Sequence, residues 1–478
     1  MTPMLTTLLR DSRALATLAV PLVLTQLAQV ALTTTDTVMM GLLGTQELAA
    51  GGLAIVIFNQ LRTMGVGLVT SVGNQIAAAA ARAEQAEKAE QAGEAERGGE
   101  DAEVAREEVR GILRASLALA TLAGLAGAVL MILIGQSLTW LGQDAAVVDR
   151  VETMLLALAP GLLPCLWFQV IRQFTVGLRR PQALLRITVV SIGVNAGLNW
   201  VLIHGTWGLP RLGLTGIGVA TSTVYLLSFL ALYVSARRDA ELAPLLTLNA
   251  AKAAPATVKR LVGLGVPIAA TYGSEAGFFS LTALMAGSFG PAALAAHTAV
   301  NQLVYIVFQV AVGLSHAASI NVSRELALGS IGDARRIRNT ALACAAAVMT
   351  VVGTLYVTVP KLVLAPFLDS GSDRALDIAT HLLVVTAFLQ FFDCSQNIGI
   401  GLLRGLDDTK SGFRITLVGY WAVGLPASWL LAYPLGLDTV GIWLGLLTGL
   451  ATTAVLLLRR YSASLTDRAA AVPAPAPA

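Results

Sequence analysis

The stretch "GLLGTQELAAGGLA", residues 41–54, returns in the second half of the chain as "GSFGPAALAAHTAV", residues 287–300. A second stretch is also repeated: "GLRRPQALLRITVV" (177–190) resembles "GLDDTKSGFRITLV" (405–418). Self-similarity that extends over half a chain is typical of a protein built from two structural repeats. The sequence therefore predicts that the second half of the fold repeats the first.

The composition is that of a polytopic membrane protein. Of the 478 residues, 55% are hydrophobic and only 13% are charged, and the mean hydropathy is +0.72. Apolar segments of roughly 20 residues are long enough to cross a bilayer as helices. We therefore predict an all-α membrane protein with twelve transmembrane helices in two six-helix lobes, at residues 15–40, 53–79, 112–134, 152–177, 185–204, 214–235, 262–287, 294–320, 338–360, 378–403, 413–433 and 439–458.

The basic residues predict the orientation of these spans. Cytoplasmic loops retain more Lys and Arg than translocated loops. Every second break between spans holds few of them, namely Arg150, Arg211, Lys361 and Arg374, whereas clusters occupy the other breaks and both ends. Both termini are expected in the cytoplasm. Six spans per repeat then make the two repeats parallel, an arrangement in which one lobe can rock against the other to give alternating access.

The order of these segments predicts the domain organisation. Residues 1–235 form an N-terminal lobe, 236–261 a cytoplasmic linker, 262–460 a C-terminal lobe and 461–478 a Pro/Ala-rich cytoplasmic tail. A charged insertion at 82–110 interrupts the first lobe with ten acidic and five basic residues. Such a segment is either an exposed helix or disordered. We expect a solvated cytoplasmic loop without a buried face.

Three acidic residues, Asp36, Glu275 and Asp393, lie inside predicted spans. A charge at the middle of a bilayer costs at least about 2.5–3.5 kcal/mol, so these acids are candidate functional residues. Helical spacing places polar side chains on the same faces. These companions are Gln29 and Thr33 beside Asp36, Asn195 and Asn199 in the fifth span, and Gln390 and Asn397 beside Asp393.

Each of these residues also has a structural interpretation. The amides serve equally well as hydrogen bonds between helices. The acids could form buried ion pairs with a base such as Arg62 or Arg172. The aromatic residues near the acids, which could stack on a planar cation, could instead pack in the core or face lipid; they are Tyr272, Phe278, Phe279, Phe391 and Phe392.

The sequence gives little support to other chemistry. Cys165, Cys344 and Cys394 are too far apart in sequence to suggest a disulfide framework or a metal site. The nearest approach to a phosphate-binding loop, "GLDDTKS" from Gly405, lacks the second glycine. We therefore expect no enzyme activity, no catalytic residue and no cofactor. The expected partners are small organic substrates and membrane lipid, without nucleic acid or an obligate protein partner.

Four stretches in order resemble the multidrug and toxic compound extrusion (MATE) transporters, in particular the NorM-type bacterial branch. They are "TDTVMMGLLGTQELAA" (35–50), "LNWVLIHGTWGLPRLGLTGIGVAT" (198–221), "FGPAALAAHTAVNQ" (289–302) and "LLRGLDDTK" (402–410). The resemblance covers roughly residues 15–460. It implies two six-helix lobes with a central cleft, location in the bacterial inner membrane, and cation-coupled export of organic, often cationic, compounds.

The resemblance also implies site residues. The cation sites of the family correspond to Asp36 with Asn195 and Asn199 in the first lobe, and to Glu275 and Asp393 in the second. One position departs from the family pattern, because NorM-type members often have Tyr where this chain has Leu389, four residues before Asp393. The insertion at 82–110 is a second departure.

The coupling ion is either a proton or Na⁺. A buried carboxylate can take and release a proton, or it can hold Na⁺ together with amide and hydroxyl oxygens. Because Leu389 removes one oxygen beside Asp393, we favour proton coupling, with Na⁺ at Asp36, Asn195 and Asn199 as the alternative. The alternative functions are a lipid-linked precursor flippase of the same broad architecture and an exporter of one native metabolite. A flippase would need a basic cleft, whereas the candidate residues in these spans are acids.

Overall fold

The computed structural model describes residues 3–93, 98–138, 145–208, 210–368 and 373–471. Every regular element in these ranges is helical, in agreement with the predicted fold class. The α-helices are α1 (Pro3–Leu43), α2 (Thr45–Thr70), α3 (Val72–Gln91), α4 (Gly98–Ser137), α5 (Ala145–Gly177), α6 (Gln182–His204), α7 (Leu214–Arg238), α8 (Pro255–Gly287), α9 (Pro291–Ala327), α10 (Ile331–Thr358), α11 (Pro360–Leu364), α12 (Asp373–Gly405), α13 (Thr409–Leu417), α14 (Leu425–Ala432) and α15 (Asp438–Ala471).

The helices account for the twelve predicted spans. Eleven segments of the described chain are long and apolar enough to cross a membrane. One of them joins α2 to α3, and another joins α13 to α14 through a π-helical turn, Val418–Gly424. The remaining span is α8, which is 33 residues long and carries the polar residues Thr271, Ser274 and Glu275 in its middle. The chain therefore has the twelve-span, two-lobe layout.

The two repeats share unusual backbone conformations at matching positions. Gly44 and Gly290, aligned in the first repeated stretch, have φ of 136° and 101° and precede α2 and α9. Arg179 and Asp407, aligned in the second, have φ of 59° and 63°. Left-handed backbone costs a residue with a Cβ roughly 1–2 kcal/mol. After Arg179 and after Asp407, the next residue donates its N–H to the carbonyl five residues before it, at 2.8 and 2.9 Å respectively. The helices before these two residues therefore end in the same way.

The described residues form two compact units. The first comprises Leu24–Tyr272, and the second comprises the chain up to Val23 together with the chain from Gly273 onward. The divisions therefore fall inside α1 and α8, whereas the sequence places the division in the linker at 236–261. The predicted limits of the lobes remain a prediction, and the last residues of the predicted tail, 472–478, lie outside the described residues.

Each unit has its own hydrophobic core. In the unit that comprises Leu24–Tyr272, the core includes Met40, Phe58, Met131, Met154 and Ile217. In the unit that begins again at Gly273, the core includes Phe278, Val300, Leu382, Tyr420 and Trp443. Candidate site residues lie on the same helices as these core side chains, so packing of the core fixes their positions.

The insertion at 82–110 is an antiparallel helical hairpin made by the end of α3 and the beginning of α4; residues 94–97 lie outside the described part. Ion pairs join the two helices, between Arg82 and Glu108 at 2.7 Å and between Arg106 and Glu87 at 2.6 Å. The expectation that this segment has no buried face is wrong. Four side chains of the segment, Ala83, Ala102, Ala105 and Val109, are buried where the two helices contact each other.

We expect transport to survive removal of the outer part of this hairpin. Replacing residues 86–104 with a short Gly/Ser turn removes exposed ion pairs, each worth about 0–1 kcal/mol, and retains the pair between Arg82 and Glu108. Dye efflux should stay within about twofold of the full chain at equal expression, because exposed pairs of this kind contribute little. Loss of efflux by a correctly inserted variant would mean that the hairpin takes part in transport.

Candidate functional sites

The first candidate site surrounds Asp36 in the third turn from the end of α1. Asp36 as a whole is only 3% exposed. Asn195 and Asn199 donate their Nδ2 groups to Oδ1 of Asp36 at 2.6 and 2.8 Å. Thr221 donates its hydroxyl to Oδ2 at 3.1 Å. The structure therefore brings together three of the residues that the sequence predicts and adds one hydroxyl.

Two helices supply these donors. Asn195 and Asn199 are one turn apart on α6, and Thr188 and Ser191 continue the same buried stripe. Thr221 belongs to α7 and was missed by the sequence analysis. It is the last residue of the stretch 198–221 that resembles the family, but nothing in the local pattern distinguishes it from other threonines. On α1 itself, Thr33 donates to the carbonyl of Gln29 at 3.3 Å, and both side chains are half-buried.

A small cavity, about 10 Å³, adjoins Asp36. Its walls carry the polar groups of Thr33, Asn59, Thr221 and Tyr225 among apolar side chains. The volume is close to the space that one water molecule needs. It could therefore receive a single water or a small ion beside the carboxylate, but not an organic substrate.

The two bases that could have paired with the acids, half-buried Arg62 and buried Arg172, bind amides instead. Arg62 donates Nε to Oδ1 of Asn59 at 3.2 Å, and Arg172 donates Nη1 to Oε1 of Gln169 at 3.1 Å. The three hydrogen bonds described for Asp36, by contrast, come from neutral side chains. These contacts favour a functional carboxylate over a structural ion pair.

The second candidate site surrounds Asp393 on α12. Asp393 as a whole is only 4% exposed. Asn397 donates to its backbone carbonyl at 2.9 Å and to Oδ1 at 3.3 Å. Gln396 donates Nε2 to the same Oδ1 at 3.4 Å. Gln390, one turn earlier, donates instead to the hydroxyl of Tyr356 at 3.3 Å, and its own Oε1 is buried without a partner in the described chain.

Glu275 on α8 joins this site through one tyrosine. The hydroxyl of Tyr420 lies 3.2 Å from Oε1 of Glu275 and 2.9 Å from Oε1 of Gln396. Since Gln396 also bonds Asp393, a continuous chain of side chains links the two acids. The sequence analysis missed Tyr420 and Gln396. Gln396 follows Asp393 by three residues but lies off the polar stripe of α12, and Tyr420 lies in the π-helical turn.

The candidate substrate aromatics lie in different environments. Phe278 is completely buried and stacks on Tyr420, with ring centroids 4.9 Å apart. Phe279 is partly buried against the same core. Phe391 is half-buried, and Phe392 is 37% exposed. Tyr272 belongs to the other unit, where it lies beside Gly67 of α2. The buried position of Phe278 favours its packing role.

Glu275→Gln is expected to reduce transport, and the loss should be markedly non-additive with that of Asp393→Asn. Residues in one hydrogen-bond network show interaction energies of about 0.5–3 kcal/mol. Dye efflux by the two single variants and the double variant tests this expectation. Losses that simply multiply would assign the two acids to independent roles.

Known proteins match this chain over most of its length. The MatE family model matches residues 105–201 and 267–430. The probable multidrug resistance protein NorM of Pseudomonas aeruginosa is 36% identical over 451 residues, which cover 93% of this chain and 88% of the relative. The protein of the same name from Pseudomonas putida is 34% identical over 455 residues, with 94% and 93% covered. The resemblance predicted from the sequence is confirmed.

The fold agrees with a solved transporter structure. A structure described as the outward-facing conformation of a multidrug resistance MATE family transporter of the MOP superfamily has a TM-score of 0.82 to this chain. The two share 16% sequence identity, and the match covers 96% of each chain. At this identity the likeness concerns the fold alone.

Proposed function

The chain belongs to the MatE family of multidrug efflux transporters, and we propose that it exports organic cations across the bacterial inner membrane in exchange for protons. It is a multi-pass membrane transporter rather than an enzyme. On this proposal both termini lie in the cytoplasm, as the distribution of Lys and Arg predicts. Asp36, Glu275 and Asp393 carry the exchange.

The observation that carries this proposal is the neutral surroundings of the two most buried acids. Asp36 receives hydrogen bonds from three neutral side chains, and Asp393 receives them from Gln396 and Asn397. A carboxylate kept inside a membrane at a cost of about 2.5–3.5 kcal/mol, with no basic partner among the described residues, can attract a mobile cation. Such a group can bind a proton in one step and an organic cation in another.

Competition between the proton and the organic cation for the same negative charge couples their movements, and the proton gradient sets the direction of the exchange. When an entering proton neutralises the acid, the attraction that holds an organic cation disappears, and the substrate is released outward. In a one-for-one exchange with a monovalent cation the two charges cancel, so the pH gradient drives the exchange; each additional proton that moves inward yields about 2.3 kcal/mol per 100 mV. The neutral acid then releases its proton to the cytoplasm and becomes able to attract the next substrate.

Sodium coupling is the second candidate, and the amides around Asp36 favour it. Oδ1 of Asn195 and Oδ1 of Asn199 are buried without hydrogen-bond partners in the described chain. Rotation of either amide about its last bond would turn that oxygen toward the carboxylate and the adjoining cavity. Together with Thr221, these groups would offer Na⁺ the oxygen ligands that hard cations prefer.

Proteoliposomes with imposed ion gradients distinguish the two ions. The proposal predicts that a pH gradient alone drives export of a cationic dye in Na⁺-free buffer. If the vesicles stay inactive until a Na⁺ gradient is imposed, the proton is wrong and the site around Asp36 becomes the favoured Na⁺ site. A panel of planar cations, neutral analogues and lipid-linked anions separates multidrug export from the export of one metabolite and from flippase activity.

A further inference from the structure

A π-helical turn, Val418–Gly424, carries Tyr420 to the acids of the second site. Turns of this kind are rare and occur frequently at functional sites, because they re-aim side chains within a helix. Tyr420 is completely buried, and the parallel ring of Phe278 covers one of its faces. The phenol is therefore held in one place, with its hydroxyl between Glu275 and Gln396.

Glycines hold the turn against α15. A Cβ on Gly419 would collide with Thr453, and a Cβ on Gly424 would lie 3.0 Å from Cζ of Phe278 and 3.2 Å from Cα of Gly449. Both are closer than ordinary side-chain contacts. The turn therefore has no room to move toward α15, and what remains free at Tyr420 is rotation of the hydroxyl hydrogen.

This hydroxyl has one hydrogen and two acceptors within reach. It can donate to Oε1 of Glu275 at 3.2 Å or to Oε1 of Gln396 at 2.9 Å, but not fully to both. Nε2 of Gln396 lies 2.5 Å from the same hydroxyl oxygen and can donate to it. While Glu275 is ionised, it accepts the hydrogen. Once Glu275 is protonated, the carboxyl can donate to the hydroxyl oxygen, and the hydrogen of Tyr420 turns to Gln396.

Gln396 passes this change onward. Its Nε2 lies 3.4 Å from Oδ1 of Asp393 and can also donate to the hydroxyl of Tyr420. How strongly Gln396 donates to Asp393 therefore depends on whether the hydroxyl of Tyr420 accepts from Gln396 or donates to it. We propose that Tyr420 is a positioning residue that, with Gln396, joins Glu275 and Asp393 into one hydrogen-bonded relay, so that a proton on one acid changes the hydrogen bonding of the other. The phenol keeps its own proton throughout. This inference rests on the proposed function in that the relay serves the exchange of ions at the two acids.

A purely structural role makes a different prediction. A buried tyrosine needs one partner for its hydroxyl, and Gln396 alone would satisfy it. In that case the hydroxyl would affect the stability of the second unit without connecting the acids. Tyr420→Phe separates the two roles because it keeps the ring that stacks on Phe278 and removes only the oxygen.

Infrared difference spectra between acid and alkaline buffer test the relay on the purified full chain. The carboxyl bands of Glu275 and Asp393 are identified by their loss in Glu275→Gln and Asp393→Asn. In Tyr420→Phe we expect both bands to shift. The matched control is Tyr461→Phe, which removes another buried hydroxyl of the same unit, bonded to the carbonyl of Ala334 at 2.9 Å, and should leave both bands in place.

A shift of the Glu275 band alone, or of neither band, would overturn the relay. So would the absence of either band from the wild-type spectra, since the relay requires both acids to exchange a proton. Gln396→Met, which interrupts the next link, provides a second variant if Tyr420→Phe does not fold; it should shift the Asp393 band, and an unchanged band would overturn the relay equally.

Transport adds a readout that distinguishes this inference from the proposed function. Tyr420→Phe should lower the maximal rate of proton-driven efflux about tenfold, the effect of one hydrogen bond to a charged group, and leave the dye affinity nearly unchanged. If the bands shift as expected while Asp393→Asn transports normally, the relay stands and the proposed function fails. If the bands stay fixed while both acids are needed for transport, the function stands and the relay fails.

Discussion

Asp393→Asn is expected to reduce coupled dye export to the level of empty vesicles, a loss on the order of 100-fold, while the protein remains inserted. The amide has nearly the shape of the carboxylate and can keep the hydrogen bonds within α12. It cannot, however, alternate between a charged and a neutral state, so it neither attracts an organic cation nor releases it in exchange for a proton. Dye efflux in proteoliposomes with a fixed amount of protein measures the loss.

The matched control for this variant lies on the same helix. Asp377→Asn makes the same chemical change at a side chain that is 76% exposed near the start of α12. It should transport as the wild type does. Normal export by a correctly inserted Asp393→Asn variant would remove Asp393 from the exchange and contradict the proposed role of the second site.

Asp36→Asn should cause a loss of comparable size, and here the surroundings add a second effect. The Nδ2 groups of Asn195 and Asn199 both point at Oδ1 of Asp36. An amide at position 36 can keep one oxygen for these two donors, but it places an NH₂ group where Oδ2 accepted from Thr221, so that hydroxyl must turn from donor to acceptor; a donor left without a partner there costs about 1–3 kcal/mol. Efflux is therefore expected to fall to background, with a lower melting temperature.

Asp149→Asn, at an exposed position of α5, is the control for Asp36. Thr221→Val then separates stability from transport, because it removes only the weaker contact to Oδ2. It should lower the melting temperature while export remains measurable. Wild-type export by Asp36→Asn at full expression would show that the first site is structural.

Much of the first site could be predicted from the sequence, because its geometry is local. Asn195 and Asn199 are one turn apart on a single helix, so the 3.6-residue period alone predicts that they share a face. Asp36 of α1 requires neutral or charged partners because it lies inside the membrane. Thr221 could not be predicted, because its contact with Asp36 depends on how α7 packs beside α1 and α6.

The second site shows a different limit. Periodicity correctly grouped Gln390, Asp393 and Asn397 on one face of α12, but it carried no information about Tyr420. The π-helical turn changes the number of residues per turn, so a face assigned with the period of an α-helix is displaced after Val418. Phe278 shows a related limit, since proximity to Glu275 in sequence cannot distinguish a side chain that stacks in the core from one that contacts substrate.

The structure also bears on Leu389, the position at which NorM-type members often have a tyrosine. From the sequence alone, this replacement removes one oxygen beside Asp393. The structure places two tyrosine hydroxyls close to the same helix, Tyr420 at Gln396 and Tyr356 at Gln390. Neither hydroxyl is hydrogen-bonded to Asp393 in the described chain, so the oxygen that a tyrosine at 389 would add beside Asp393 is still missing, and the preference for protons over Na⁺ stands.

The central claim is exchange of a cation for an organic substrate, and the most direct test counts both in the same vesicles. Proton uptake and dye release, recorded together in Na⁺-free buffer, should keep a constant ratio as the pH gradient is varied, and both fluxes should vanish in Asp393→Asn. Dye release that proceeds without any accompanying movement of protons or Na⁺, at a rate set only by the dye gradient, would contradict the account.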